Sequence, residues 1–212
     1  MPIIKETALL HETKLGVWNI IEPKEFFLSK LILNETDKIA LGKIKRQQKY
    51  LQWLASRYLI KIFINTVDDV QLFYDDQGKP FLNNYHLSIS HSHDMVVVLM
   101  SKHASVGIDI EKIQHKIENI AQKFMHNDEI SNLKKDFSKE HLYVYWSVKE
   151  AVYKLIGQKG LNFKEHIRIQ PFDYKEKGRV DVSIVKNDFS QVLQVLYEKT
   201  HNYMLAYVVG LK

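Results

Sequence analysis

The chain has 212 residues, of which 45% are hydrophobic and 26% are charged, a balance typical of one folded domain or two small ones. It contains no cysteine, which excludes disulfide bonds, thiolate metal sites and cysteine nucleophiles and is compatible with a cytoplasmic location. The first residues lack the apolar stretch of a secretory signal, and no apolar run is long enough to span a membrane, so we expect no membrane partner. The net charge of +5 favours acidic partners such as nucleic acid, phosphorylated small molecules or acidic proteins, although it also serves solubility.

The first third of the chain predicts a strand followed by helices. Apolar and polar residues alternate up to Ile20, and Pro23 separates this segment from a short helix at residues 24–33. From about residue 34 to residue 65, apolar residues recur at helical spacing. Between residues 41 and 61 there are six basic side chains and no acidic one: Lys43, Lys45, Arg46, Lys49, Arg57 and Lys61. A basic helix face of this kind binds phosphate or an acidic partner, or is simply solvated.

Residues 72–100 predict a strand, a turn and a β-hairpin. Pro80 closes the turn at residues 75–80 and holds Lys79 at a rigid corner. The hairpin covers residues 87–100, and its polar tip contains His91, His93 and Asp94. Zinc binding is one interpretation of this tip, but a further ligand at zinc spacing is missing, and a histidine beside serine hydroxyls suits a phosphate contact better.

Two carboxylates share one face of a predicted strand at residues 106–113. Apolar residues alternate there with Gly107, Asp109 and Glu111, the pattern of a half-buried strand. Asp109 and Glu111 therefore emerge on the same side, about 7 Å apart along the strand, with the small Gly107 beside them. Two acids on one face repel unless a cation lies between them, and Mg²⁺ prefers such oxygen ligands. The alternative is an exposed strand end with ordinary surface acids.

The rest of the chain predicts helices and then strands. Residues 114–140 are expected to be helical, and a longer helix is expected from about Lys139 to Ile156, ending at Gly157. One side of this helix carries residues at spacings of three and four: Trp146, Lys149, Glu150, Tyr153 and Lys154. Short antiparallel strands fill residues 167–212.

A histidine-tipped hairpin and a long helix occur in each half of the chain. LSISHSHDMVVVLMS in the first half resembles LYEKTHNYMLAYVVG in the second. We therefore predict an α+β fold of two similar α/β lobes in a pseudo-twofold arrangement, each with a small antiparallel sheet and a long helix. The N-terminal lobe would cover residues 1–105 and the C-terminal lobe residues 106–212.

Four motifs, in this order, resemble the 4'-phosphopantetheinyl transferase superfamily. They are GKP at residues 78–80, SISHS at 88–92, VGIDIE at 106–111 and WSVKEAVYK at 146–154. The chain length and doubled layout resemble the monomeric, surfactin-synthetase-type branch rather than the shorter trimeric holo-acyl-carrier-protein synthase.

The resemblance implies an enzyme that moves the 4'-phosphopantetheine arm of coenzyme A to a serine hydroxyl of an apo acyl or peptidyl carrier protein and releases 3',5'-ADP. By motif, Mg²⁺ (or Mn²⁺) would be bound by three carboxylates: Asp109, Glu111 and Glu150. Lys154 would stabilise charge on the leaving group, and Glu150 or another acid would accept the serine proton. Glu129 matches a further acidic position near the metal.

The resemblance also implies contacts with coenzyme A itself. Lys79, Ser90 and His91 match positions that contact its nucleotide end. One or two basic residues of the predicted long helix would hold the 3'-phosphate: Arg46, Lys49 or Arg57. The sequence departs from the family pattern here, because Gln47 and Gln48 stand near the expected arginine.

Two other functions are compatible with the same residues. Another Mg²⁺-dependent phosphoryl-transfer enzyme or nuclease would also use the acids and the Lys–Glu helix, although no P-loop is present. A nucleic-acid-binding module would use the basic helix. Under the transferase interpretation we expect a monomer with no nucleic-acid partner, while the carrier pathway, the general base and the choice between Mg²⁺ and Mn²⁺ stay open.

Overall fold

The computed structural model describes residues 3–9, 12–76, 78–133 and 137–210, with only the backbone of residues 3–9. The chain divides into two compact units, Met1–Ala104 and Ser105–Lys212. Each unit contains an antiparallel sheet and one helix of 18 residues. The predicted α+β fold, with a sheet and a long helix in each half, is confirmed. In these ranges no helix combines the length and the apolar character needed to cross a membrane.

The first unit is a six-stranded sheet with three helices. Its strands are β1 (Ile3–Leu9), β2 (Thr13–Asn19), β3 (Phe73–Tyr74), β4 (Pro80–Leu82), β5 (Tyr85–Ser92) and β6 (Met95–Ser101), in the spatial order β1-β2-β6-β5-β4-β3. Its helices are α1 (Lys24–Leu28), α2 (Glu35–Gly42) and α3 (Gln47–Ile64). Leu54, Leu59 and Ile60 of α3 are fully buried against the sheet.

The basic helix predicted within residues 41–61 is interrupted, because the chain forms two helices across residues 34–65. Lys43 caps α2 with its backbone N–H bonded to Ala40 and Leu41, and Arg46 is extended (φ −87°, ψ 120°) just before α3. The helical hydrogen-bond ladder is therefore interrupted after Gly42, whose helix propensity is low. Lys43, Lys45 and Arg46 lie in the connection and not on a helix face.

The second unit is a five-stranded sheet covered by a long helix. Its strands are β7 (Val106–Lys112), β8 (Ile167–Ile169), β9 (Lys177–Lys186), β10 (Phe189–Thr200) and β11 (Tyr203–Val209), in the order β7-β11-β10-β9-β8. A 3₁₀ helix (His115–Ile120) precedes α4 (Ala121–Phe124), α5 (Asn127–Ser131), α6 (Lys139–Ile156) and α7 (Phe163–His166). The bounds predicted for α6 are confirmed: Ser138 caps its start, and Gly157, at φ 61°, ends it in the left-handed conformation.

Helix α6 packs directly on β7 at Gly107. A Cβ at this position would overlap the carbonyl oxygen of Ala151 and lie 2.8 Å from the backbone nitrogen of Leu155. Gly107, Asp109 and Glu111 alternate along the strand and so face the helix. The expectation that Asp109 projects from an open face is therefore wrong: only 3% of the residue is exposed, because α6 covers that face.

The two units repeat one topology. In each, the second strand of a hairpin pairs with the first long strand preceding the helices, as β6 pairs with β2 and β11 with β7. Both hairpin tips place a histidine at positive φ, His93 (51°) and His201 (54°). In both units a backbone carbonyl of the hairpin tip accepts a hydrogen bond from the residue that follows the paired strand. Ile20 N–H donates to Asp94 (2.7 Å) and Ile113 N–H donates to Asn202 (2.9 Å).

Candidate active site

Three acidic side chains interact where α6 crosses β7. Asp109 and Glu111 come from the strand, and Glu150 comes from the facing side of the helix. Burial, followed by the negative charge of Asp109, raises the pKa of Glu150 to about 7. Lys154 opposes this shift, and the charge of Glu111 adds a smaller increase. Asp109 and Glu111 thus lie close enough to Glu150 for their charges to disfavour its ionisation.

Lys154 supplies the positive charge beside these acids. Its Nζ donates to Oδ1 of Asp109 at 2.8 Å and to the carbonyl oxygen of Ile108 at 3.1 Å. The Asp109 side chain is 4% exposed and that of Lys154 is 27% exposed, so the ion pair lies at the inner edge of the site. One turn of α6 separates Lys154 from Glu150, which explains why both side chains reach the same strand.

Trp146 supports Glu111 from the preceding turns of α6. Its indole Nε1 donates to Oε1 of Glu111 at 3.4 Å. The ring is held between Phe124 (centroids 5.0 Å apart) and Phe163 (5.7 Å). The orientation of Glu111 therefore depends on an aromatic cluster that binds α4 and α7 to α6.

The donor set fits a hard divalent cation, although it is not a preassembled metal site. Within the described ranges, no three His, Cys, Asp or Glu side chains have an arrangement that could hold a metal ion as they stand. The carboxyl oxygens of Asp109, Glu111 and Glu150 are nevertheless ligands of the type that Mg²⁺ prefers. Burial, and then the charge of Asp109, hold the pKa of Glu150 above its ordinary value, and a cation bound among these oxygens would favour the ionised carboxylate.

Glu129, predicted near the metal, is engaged elsewhere. Its Oε2 accepts from Lys149 Nζ and from the backbone N–H of His126, both at 2.7 Å, and its Oε1 accepts from Ile169 N–H at 2.8 Å. The side chain is 3% exposed. These contacts favour a structural role for Glu129 over a catalytic one.

The predicted coenzyme A contacts in the first unit lie on its hairpins. Lys79 follows the turn before β4; its backbone N–H binds the carboxylate of Asp75, and burial lowers the pKa of its ammonium, with Asp75 partly offsetting this. Ser90 and His91 lie on β5, where Ser90 is buried and His91 is exposed. Their adjacent positions place them on opposite faces of the sheet.

The basic candidates separate into two exposed residues and one buried residue. Arg46 and Lys49 are exposed at the start of α3, whose first turn contains no acid. Arg57 is only 5% exposed: its guanidinium stacks 4.3 Å from the Trp53 ring, and Nη2 donates to Tyr74 Oη at 2.8 Å. This burial favours a structural role for Arg57 over a phosphate contact. The sequence carried no signal for the partnership with Tyr74, 17 residues away.

Residues 105–208 match the family model described as the 4'-phosphopantetheinyl transferase superfamily. This range contains β7, α6 and all of the clustered acids. The second unit belongs to this superfamily.

Curated members of the 4'-phosphopantetheinyl transferase superfamily also align with the chain. The chain is 29% identical over 140 residues to 4'-phosphopantetheinyl transferase gsp of Aneurinibacillus migulanus (62% of this chain, 59% of the relative). It is 31% identical over 146 residues to ffp of Bacillus subtilis (65% and 62%) and 35% identical over 100 residues to Sfp of Bacillus subtilis strain 168 (44% of each). The alignments thus span about three fifths or less of these relatives. The resemblance predicted from the four motifs, including the surfactin-synthetase-type branch, is confirmed.

Proposed function

We propose that the chain transfers the 4'-phosphopantetheine arm of coenzyme A to a serine hydroxyl of an apo carrier protein, releases 3',5'-ADP and requires Mg²⁺. One observation carries the proposal: three carboxylates and Lys154 interact where α6 crosses β7, inside the segment that matches the transferase superfamily. The relatives bear the name of this activity, which supports the same reaction class.

In the proposed reaction the serine oxygen attacks the β-phosphorus of the coenzyme A pyrophosphate. The new P–O bond forms as the bond to the bridging oxygen breaks, and 3',5'-ADP departs with that oxygen. Glu150, or another acid, would accept the serine proton. Lys154 is suited to stabilise the charge that develops on the leaving group.

The metal and the donor substrate are assigned by chemistry. Asp109, Glu111 and Glu150 would hold Mg²⁺, or Mn²⁺ in its place, and the ion would neutralise pyrophosphate charge and fix its geometry. For the nucleotide end of coenzyme A we propose two groups of side chains in the first unit: Lys79, Ser90 and His91, and the exposed pair Arg46 and Lys49. We omit Arg57 because its guanidinium is buried against Trp53.

Intact-mass measurement of a carrier protein tests the proposal. The chain is incubated with coenzyme A, Mg²⁺ and either an apo acyl carrier protein or an apo peptidyl carrier protein. We expect the carrier to gain one phosphopantetheine group with the wild type and none with Asp109→Asn. Glu118→Gln, which removes an exposed acid of the same unit, is the matched control and should retain activity.

The same preparations separate the other two interpretations. Carriers of both kinds left unmodified by the folded wild type would contradict the transferase proposal and favour another phosphoryl-transfer reaction. The nucleic-acid-binding interpretation predicts two results together. The wild type would modify no carrier, and nucleic-acid binding would survive the replacement of Asp109 and Glu111 by their amides.

A further inference from the structure

A fully buried ion pair lies beside the acid cluster and is not part of it. Lys149 is 0% exposed and Glu129 is 3% exposed, and the distance from Nζ to Oε2 is 2.7 Å. Lys149 also donates to the carbonyl oxygens of Ile167 (2.7 Å) and Phe163 (3.0 Å). A lysine ammonium has three N–H donors, and each of them has an acceptor here.

Glu129 completes the network from the other side. Its two oxygens accept backbone N–H groups from His126, which precedes α5, and from Ile169, in β8. The pair therefore joins α5, α6, α7 and β8 through hydrogen bonds that are buried or partly buried. Such a network restrains the position of α6 along its axis in a way that apolar packing alone does not, because hydrogen bonds are directional.

A buried ion pair of this kind contributes little to the free energy of unfolding on its own. Burying two charges carries a desolvation cost that their attraction often fails to exceed, and apolar replacements are frequently as stable. Its presence at this position is explained better by the geometry that it imposes. Two side chains of the acid cluster depend on that geometry.

The first dependence runs through the chain itself, because Lys149 immediately precedes Glu150. The second runs through Phe163, whose carbonyl oxygen accepts from Lys149. The Phe163 ring contacts Trp146 (5.7 Å) and Tyr153 (5.5 Å), the residues three before and four after Lys149 on α6. Trp146 in turn donates to Glu111. Lys149 thus does not bond to Glu111, yet its contacts reach Glu150 through the chain and Glu111 through Phe163 and Trp146.

We propose that Lys149 and Glu129 form a positioning pair that sets the geometry of Glu111 and Glu150 for a divalent cation, an inference that rests on the proposed function of this site. The pair acts through α6 and Phe163 and takes no part in the transfer itself. Its loss therefore weakens cation binding even in a chain that remains folded.

The test compares single and paired replacements. Lys149→Met or Glu129→Gln alone leaves one buried charge without its partner, so we expect each to lower the unfolding temperature. The double variant Lys149→Met/Glu129→Gln removes both charges, and we expect it to recover most of that stability. Lys177→Met/Glu198→Gln is the matched control, because it removes a lysine–glutamate pair that joins β9 to β10 at 3.6 Å.

Mn²⁺ binding distinguishes a positioning role from a merely structural one, which would leave it unchanged. The loss of the electron paramagnetic resonance signal of the free ion measures this binding. We expect the double variant to bind Mn²⁺ at least about tenfold more weakly than the wild type, the size typical of residues that orient metal ligands. The control pair should bind as the wild type does. Glu129→Asp, which keeps the charge but shortens the side chain, is the milder second variant and should weaken binding in the same direction.

Wild-type Mn²⁺ affinity in the folded double variant and in Glu129→Asp would overturn the inference, as would a wild type that does not bind Mn²⁺. The carrier assay separates this result from the fate of the proposed function. If the wild type modifies no carrier but the variants still bind Mn²⁺ more weakly, the transferase proposal fails and the positioning role stands. If the wild type modifies its carrier and the variants keep full Mn²⁺ affinity, only the positioning role fails.

Discussion

Glu150 occupies a site that is electrostatically unfavourable for its charged form. Burial and the neighbouring Asp109 raise its pKa from the ordinary 4.5 to about 7. Between these two values the folded chain keeps a proton that the unfolded chain has lost, so the free energy of unfolding falls as pH rises through the window. Part of the stability of the metal-free protein is thereby lost at neutral pH, in a place where a bound cation would restore it.

Glu150→Gln should therefore stabilise the metal-free protein, and mainly at pH values above the raised pKa of Glu150. The amide cannot ionise, so at pH 8, with a chelator present, we expect the free energy of unfolding to rise by about 1–3 kcal/mol, and by much less at pH 5. Urea denaturation at the two pH values measures the difference. Glu118→Gln, at an exposed site, should show no such pH dependence. Equal effects of Glu150→Gln at both pH values would contradict the assigned electrostatics.

At the scale of the element, the contact between α6 and β7 depends on the absence of one side chain. Gly107→Ala would drive a methyl group into the backbone of Ala151 and Leu155. We expect the helix to move off the strand, the free energy of unfolding to fall by about 3 kcal/mol or more, and any transferase activity to be lost with it.

Gly42→Ala is the matched control for this substitution. Apart from the adjacent residues and the backbone of α2 itself, no described atom lies within 4 Å of the added methyl group, so the change should be neutral or slightly stabilising. Denaturation curves of both variants give the comparison. A Gly107→Ala protein as stable as the wild type would show that α6 does not press on β7 as closely as described.

Tyr74 joins the hairpin of β3 and β4 to α3 through a hydrogen bond with Arg57. Arg57 Nη2 donates to Tyr74 Oη, and the next residue, Asp75, binds the backbone of Lys79. Tyr74→Phe should loosen the turn that carries Lys79 and raise the KM for coenzyme A about three- to tenfold, since a lost bond to a charged group costs about 1 kcal/mol or more. The value of kcat should change little.

Steady-state kinetics with varied coenzyme A test this prediction. Tyr58→Phe is the control, because it removes a phenol from the aromatic cluster around Trp18 in the same unit and leaves the hairpin untouched. A fall in kcat at unchanged KM would contradict a role confined to substrate binding.

The elements that the sequence predicted well are those with their own boundary signals. Helix α6 has an amphipathic period, a serine cap and a terminal Gly157, so its bounds followed from local chemistry. The break between α2 and α3 has a weaker signal, one glycine, and a continuous helical period runs across it. The burial of Arg57 likewise depends on Trp53 and Tyr74 being brought together by the fold, which a helical pattern alone does not encode.

For the whole molecule, the acid cluster was predictable and its supports were not. Asp109 and Glu111 are two residues apart on one strand, and the motif resemblance supplied Glu150. Glu129 and Lys149 are 20 residues apart, and nothing in the sequence indicated that they pair instead of facing a metal. A buried lysine and an exposed lysine look alike in a sequence, because the difference is made by the elements that surround them.

The repeated topology shows why the acids occur in one unit. The strand pairings of the two units can be matched residue by residue from their hairpins. Asp109 pairs with Ala206, three residues before Lys112 at the end of β7. In the first unit Gly16 pairs with Val98, three residues before Asn19 at the end of β2. Gly16 therefore stands at the position of Asp109, and Trp18 at the position of Glu111. A Cβ at Gly16 would meet the side chains of Phe63 and Leu59. In the first unit α3 therefore packs apolar side chains against this strand position, whereas in the second unit α6 brings Glu150 to the strand.

The proposed metal site predicts a single divalent cation per chain. We expect titration with Mn²⁺, followed by the resonance of the free ion, to saturate at one ion per chain, because β7 and α6 bring three carboxylates together and the equivalent place in the first unit is apolar. Asp109→Asn/Glu111→Gln should abolish this binding. Glu25→Gln/Glu35→Gln, which removes two exposed acids of the first unit, should leave it unchanged. Saturation at two ions would mean that the first unit also binds metal despite its apolar filling, and binding that survives the double replacement on β7 would place the cation away from the acid cluster.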